Sequence, residues 1–359
     1  MFSHNMMLMI LFSLWSCHGV PVIDISPLLQ ADADSRNRQV CLSNLVQVLR
    51  ESGLFTIKNF GWSSAFMQEA LEASRELFTL QDDLKAIPMS SSTMRGYISM
   101  GGESGLPNAV FEPKEGFAYG SNVSTLTTNE SGQFDSDDLY RYYLSSENLW
   151  PTSLSESSKR ILNDIYVECT QLSKLLTLAI LEAFDMDMTL GQHMIDHEDG
   201  QDISVMRLFH YLMVSANSDR AEKTVLGSSP HRDWGLLTII LEDSVGGLEY
   251  YDKQGKSWVS VETEPNTLIV NAGDFLSLLD TEIESPIHQV ISPKTSDRYS
   301  FVFFFYPTFD TLLPPMVVNE HDKDENLGFS FNTLIGNTGE NNKFGTTIVK
   351  KWLGVQSTS

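Results

Sequence analysis

Apolar positions along the chain follow two different periods, and the change between them falls near residue 203. In the first half the spacing is helical. Arg36 to Ser52 places Val40, Leu45, Val48 and Leu49 on one face, with Gly53 as the stop, and predicts an amphipathic helix. Ala65 to Phe78 repeats Phe66, Ala70, Ala73 and Leu77 in the same way. Glu156 to Phe184 aligns Ile161, Ile165, Leu172, Leu176 and Ala183 and predicts one long helix. Two short stretches, Val20 to Ile25 and the alternating Leu54 to Lys58, read as strands. Pro21 stands near the start of the first, where its missing N–H costs least. Ser121 to Glu147 is polar, acidic and rich in Ser and Thr, and reads as a surface loop or insert.

From about Ile203 the pattern becomes one of short strands between turns. The predicted strands are Val205 to Leu212, Leu236 to Leu241, Gly247 to Tyr251, Trp258 to Val261, Thr267 to Val270, Ile287 to Ile291 and Arg298 to Tyr306. Asp252-Lys253-Gln254-Gly255 separates two of them as a hairpin turn, with Gly255 available for positive φ. Many short strands with regular turn signals imply a sandwich or barrel. The fold class is therefore α+β, a double-stranded β-helix (jelly roll) core with N-terminal and flanking helices. The expected organisation is an apolar leader over 1–19, a helix and strand region over 20–185, a jelly-roll core over 203–310, and a C-terminal segment over 311–359 that packs on the core.

Charge and composition narrow the partners. The chain has 359 residues, 42% hydrophobic and 20% charged, which excludes collagen-like, disordered and coiled-coil classes. With 24 basic against 47 acidic residues the formal net charge is −23, so a surface for nucleic acid or anionic membrane is not expected. Cys17, Cys41 and Cys169 contain no CxxC pair, which removes a disulfide framework and a thiolate zinc site. The apolar run Met6 to Trp15 is too short to span a bilayer. It has the length of a signal-peptide core but lacks a positive n-region, so residues 1–19 are read as a leader and the protein as cytoplasmic. Secretion with loss of residues 1–19 is the alternative, and the sequons at Asn122 and Asn129 would fit it. The expected form is a monomer with a small-molecule substrate and no stable membrane span.

The candidate chemistry gathers in three motifs. His231-Arg232-Asp233 precedes the strand Leu236 to Leu241, and residues two apart in an extended segment point the same way. His288 lies at another strand start, in Ser285-Pro286-Ile287-His288. Two imidazoles and one carboxylate on one side of a metal leave open positions, as in non-heme Fe(II) oxygenases; zinc accepts the same donors. Third, Arg298 and Ser300 share a face by the same i, i+2 rule, and a guanidinium fork beside a hydroxyl suits a carboxylate. A metal triad followed by a carboxylate clamp describes one site for one keto acid. Other features read as structure. His193 and His197 lack the HExxH glutamate and mark a helix end, His210 is a core or pocket-edge residue, and Phe301 to Tyr306 is barrel core. Gly246-Gly247 is a turn, and Cys41 and Cys169 are small buried hydrophobes.

These residues resemble the isopenicillin N synthase-like group of Fe(II)/2-oxoglutarate-dependent dioxygenases. The resemblance covers nearly the whole chain: VPVIDIS at Val20, GLFTIKNFG at Gly53, RGY at Arg95, KEGFAYG at Lys114, NLWP at Asn148, MRLFHY at Met206, HRDWGLLTIILED at His231, GGLEYY at Gly246, NAGDFL at Asn271, RYSFVFFFYP at Arg298 and KKWLGV at Lys350. It implies Fe(II) on His231, Asp233 and His288, and 2-oxoglutarate held at its distal carboxylate by Arg298 and Ser300 with Tyr211 in reach. Phe209 stands where the plant-type pattern has an asparagine. The implied reaction uses O2, releases succinate and carbon dioxide, and hydroxylates, desaturates or cyclises a small organic substrate. Members that keep the triad and the Arg-x-Ser yet use no 2-oxoglutarate are the first rival reading. A non-catalytic jelly-roll binding protein and a zinc hydrolase are the others.

Overall fold

The computed structural model describes residues 20–30, 34–90, 93–102, 110–121, 136–197, 201–214, 224–314 and 342–358. The leader, both sequons and Cys17 lie outside these residues. In chain order the first half gives β1 (Val22–Asp24), α1 (Ser26–Leu29), α2 (Ser35–Glu51), β2 (Leu54–Lys58), α3 (Ser64–Thr79), α4 (Gln81–Lys85), β3 (Gly96–Ile98), β4 (Val110–Phe111) and β5 (Lys114–Gly120). Then come α5 (Ser136–Ser145), α6 (Glu156–Ala183) and α7 (Met188–Ile195). The second half gives β6 (Val205–Tyr211), β7 (Thr224–Val225), β8 (Ser228–His231), β9 (Leu237–Glu242), β10 (Leu248–Asp252), β11 (Ser257–Ser260) and β12 (Leu268–Ala272). It closes with α8 (Asp274–Leu279), β13 (His288–Val290), β14 (Arg298–Phe305) and α9 (Phe344–Thr358).

Local chemistry sets the helix starts. The side chains of Asp34, Ser63 and Ser155 accept from the backbone N–H of Arg36, Phe66 and Ser158 and so satisfy donors that the first turns of α2, α3 and α6 leave open. At the other end of α2, Gly53 takes φ +67°, and an added Cβ would lie 1.9 Å from the Glu284 carbonyl oxygen. Only glycine lets α2 turn directly into β2 there.

The described strands form an eight-stranded sheet in the order β1-β2-β12-β9-β14-β6-β5-β3, a four-stranded sheet in the order β11-β10-β13-β8, and a two-stranded parallel pair of β4 and β7. Two cores result. Helices α2, α3 and α6 cover the back of the large sheet, where Leu45, Leu77, Leu176, Phe301, Phe303 and Phe305 are buried. The second core lies between the sheets and includes Phe209, Tyr211 and Ile240 from the large one and Leu248, Tyr250 and Val290 from the small one. This is the jelly-roll architecture expected, with three differences from the residue pattern. The large sheet takes in β1 and β2, both expected as strands, and adds β3 and β5 from the first half, which the residue pattern did not mark. Leu54 to Ile57 do not alternate in burial, because β2 has helices on one side and the inter-sheet core on the other. The polar stretch after Ser121 contains α5, with Tyr143 and Leu144 buried.

Two smaller expectations also fail. Val40 is 40% exposed, and Cys41 and Leu42 turn inward in its place. In the β10–β11 hairpin the left-handed residue is Lys256 (φ 52°), while Gly255 donates its N–H to the Asp252 carboxylate.

On the helix-covered side of the large sheet, His210 sits between two acids. Its Nδ1 is 2.8 Å from Glu115 and its Nε2 3.0 Å from Asp297, and its ring stacks on Tyr299 at 4.5 Å. Tyr97 and Gln81 donate to the same Glu115 carboxylate. Burial opposes a charge on His210, but the two acids outweigh it and raise its pKa. A raised histidine stabilises the fold fully below the unfolded value near 6.5, and the gain is lost as pH rises through the folded value. The unfolding free energy of the wild type minus that of His210→Gln, from urea titrations, should therefore be largest near about pH 6 and shrink towards about pH 9. A difference that stays flat over that range would show His210 to be uncharged in the fold.

Candidate metal centre and carboxylate clamp

Strand β13 pairs antiparallel with β8 and sets His288 directly opposite His231, with ring centroids 4.2 Å apart. His231 Nδ1 donates to the Ser229 carbonyl at 2.8 Å and His288 Nδ1 to the Pro286 carbonyl at 3.2 Å. A carbonyl can only accept, so each ring carries a proton on Nδ1 and turns Nε2 to another partner, with a lone pair there whenever the ring is neutral. Those two Nε2 atoms each stand 3.8 Å from a different oxygen of Asp233.

Asp233 leaves β8 in an extended turn whose backbone rests on the start of α8. The Asp274 N–H donates to the Asp233 carbonyl at 2.7 Å, and the Phe275 N–H to that of Gly235 at 3.1 Å. The turns touch so closely that a Cβ on Gly273 would lie 2.2 Å from the Gly235 carbonyl oxygen. One Asp233 oxygen, Oδ2, accepts from Thr238 Oγ1 at 2.6 Å and from Asn271 Nδ2 at 2.9 Å. Thr238 and Asn271 are direct cross-strand partners on β9 and β12, so one register fixes both donors.

The electrostatics follow from that enclosure. Burial disfavours the Asp233 carboxylate, yet His288, His231 and the two donors outweigh it and hold its pKa below the ordinary value. Enclosure and the neighbouring His288 lower the pKa of His231, which keeps that ring neutral. Two imidazole Nε2 atoms and one ionised carboxylate thus converge, with ligand atoms within 4.8 Å of one another. This donor set fits one divalent metal bound on one side with further positions open, and it can serve iron or zinc. Among the described residues no second group of this kind occurs. His197 instead has Nε2 3.1 Å from the Tyr306 carbonyl, past the end of α7 at Ile195.

The clamp residues lie on the same inward face. Cross-strand pairing aligns Lys114, Tyr211 and Arg298 in one row and Gly116, Phe209, Ser300 and Glu242 in the next. Arg298 is buried, with its guanidinium 4.7 Å from the Tyr211 ring centre and NH1 3.4 Å from Ser300 Oγ. Phe209 packs over Gly116, where a Cβ would meet the ring at 3.2 Å. So Phe209 fills space on the inward face with a hydrocarbon ring. Trp352 of α9 meets Trp234 at 4.8 Å, and the Arg207 guanidinium lies 4.1 Å from the Trp352 ring. Of the six residues expected at the site, His231, Asp233 and His288 come together here and Tyr211, Arg298 and Ser300 fall in adjacent rows, while sequence reasoning assigned nothing to Thr238, Asn271 or Glu242. A lone asparagine inside the apolar run Leu268 to Ala272 was the one available signal for Asn271.

The chain is similar to known proteins over almost its full described length. The 2OG-Fe(II) oxygenase superfamily matches residues 203–307, and the family described as non-haem dioxygenase in morphine synthesis N-terminal matches residues 20–153. The 2-oxoglutarate-dependent dioxygenase citB of Monascus ruber is 30% identical over 315 residues, 86% of this chain and 91% of that one. The clavatol oxidase claD of Penicillium crustosum is 27% identical over 324 residues, 86% of this chain and 91% of that one. Among solved structures, a full-length Neurospora crassa protein in complex with alpha-KG shares the fold at a TM-score of 0.71 and 20% identity, covering 93% of this chain and 96% of that one. Sequence and fold agree: this chain belongs to the Fe(II)- and 2-oxoglutarate-dependent dioxygenases, oxidoreductases that use Fe(II), 2-oxoglutarate and O2.

Proposed function

We propose that His231, Asp233 and His288 hold the iron, that Arg298, Ser300 and Tyr211 take the distal carboxylate of 2-oxoglutarate, and that the chain hydroxylates a small organic substrate. Desaturation or ring closure would use the same residues. The observation that carries this reading is the convergence of two free Nε2 atoms on Asp233, each ring pinned through Nδ1 by a backbone carbonyl. Bound iron supplies the oxygen-activating redox chemistry. The chain supplies the rest. Ser229 and Pro286 fix the tautomers of the two rings, and Thr238 and Asn271 orient the carboxylate. The apolar inter-sheet core limits access of water. Because one chain provides every proposed ligand, the reading is of a monomer.

Asp233→Ala should cut iron content by at least about 10- to 100-fold, the scale on which loss of a group that merely orients a ligand already acts. Oxygen-dependent decarboxylation of 2-oxoglutarate should disappear with it. The check is iron analysis beside carbon dioxide release, with circular dichroism to establish the fold. Retention of both iron and turnover would remove Asp233 from the ligand set.

We further propose a cytoplasmic location. Two of the three cysteines, Cys41 and Cys169, are buried free thiols, as suits a reducing compartment. Among the described residues no helix is long and apolar enough to cross a membrane. Mass spectrometry of protein from its native source should find an N-terminus at Met1 or Phe2. An N-terminus at Val20, or glycan on Asn122, would establish secretion instead.

A further inference from the structure

Glu242 closes strand β9 two residues beyond Ile240 and faces inward opposite Ser300. Its Oε2 accepts from Arg298 NH2 at 2.6 Å, and both side chains are almost wholly buried, at 4% and 1% exposure. Thr263 Oγ1 approaches its other oxygen at 3.4 Å. Arg298 then has NH2 on Glu242, NH1 on Ser300 and the Tyr211 ring beneath, while its buried Nε has no partner among the described residues. The cation expected to grip a carboxylate already holds one from its own fold.

That pairing has two consequences. One edge of the guanidinium is immobilised by a charge-assisted bond, so the fork is oriented before any ligand arrives. The buried pair is also neutral as a unit, and a second carboxylate brings a net negative charge into a low-dielectric space. We propose that Glu242 is a positioning residue of the distal-carboxylate site, one that orients Arg298 and weakens the hold on dicarboxylate keto acids by its own charge. This inference rests on the reading of Arg298 as the clamp. It assigns the strength of co-substrate binding to a residue outside the metal triad and the Arg-x-Ser pair.

The test compares two keto acids on Mn(II)-loaded protein without oxygen, by titration calorimetry. One is 2-oxoglutarate; the other is 2-oxopentanoate, which has the same keto acid end and no distal carboxylate. Glu242→Gln keeps an oxygen acceptor for Arg298 and removes the charge. With carboxylates on opposite edges of one guanidinium, roughly 6 Å apart at an effective dielectric near 20, removal should tighten 2-oxoglutarate by about 10- to 100-fold. Binding of 2-oxopentanoate should stay within about twofold, because it brings no second charge. Glu242→Asp retains the charge and should not tighten 2-oxoglutarate. The proposal is overturned if Glu242→Gln leaves 2-oxoglutarate binding unchanged or weaker, or tightens both ligands equally. Arg298→Leu separates the underlying reading. It should abolish the preference for 2-oxoglutarate over 2-oxopentanoate, and a preference that survives would refute the clamp itself and this inference with it.

Discussion

Asp233 is almost fully buried, and much of the site is arranged to keep its carboxylate ionised there. Moving a carboxylate out of water costs several kcal/mol even after relaxation, so the charge needs compensation in place. Thr238 and Asn271 supply two hydrogen bonds to one oxygen, and the rings of His231 and His288 stand 3.8 Å away. Those donors exist only because β9 and β12 pair in the register that sets Thr238 opposite Asn271. A slip of one residue on either strand would turn one donor to the helix-covered face. The eight-stranded sheet is therefore what fixes the electrostatics of the centre, although the histidines come from the smaller sheet.

The same geometry explains what the sequence made legible. Strands of the second half were readable because turn residues punctuate short apolar runs rich in β-branched and aromatic side chains, and β6, β9 and β14 lie within a residue or two of their expected limits. The pair His231 and Asp233 was readable because i, i+2 spacing needs only a local extended backbone, and His288 stood out as a histidine at another strand start. Strand β8 was not, since Ser228-Ser229-Pro230-His231 shows no alternation, and its place is set by pairing with β13. Strand β5 was hidden for a different reason. Gly116 and Gly120 have low β-propensity, yet they occupy the inward face where the Phe209 ring and the Arg95 guanidinium approach. Among the residues whose role depends on cross-strand register, Thr238 and Glu242 carry no local signal of it, and Asn271 shows only as a lone polar residue in an apolar run.

Two charged groupings in this fold stand in different relations to chemistry. His210 with Glu115 and Asp297 lies on the side of the large sheet covered by helices, beside Phe78 of α3, and its consequence is stability that varies with pH. Arg298 with Glu242 lies on the inward face, in rows shared with Tyr211 and Ser300. Alternation along β6 and β14 separates them. His210 and Tyr299 point one way while Tyr211, Arg298 and Ser300 point the other. A single strand pair thus carries a structural charge network on one side and a ligand site on the other.

A ligand set of this kind beside a buried arginine should couple oxygen use to 2-oxoglutarate. Anaerobically purified, Fe(II)-loaded protein, supplied with oxygen, gives the most direct test through simultaneous measurement of oxygen consumed and succinate formed. Oxygen uptake that requires 2-oxoglutarate, with one succinate for each O2, is the predicted result. Oxidation of a substrate with no 2-oxoglutarate present would contradict the account.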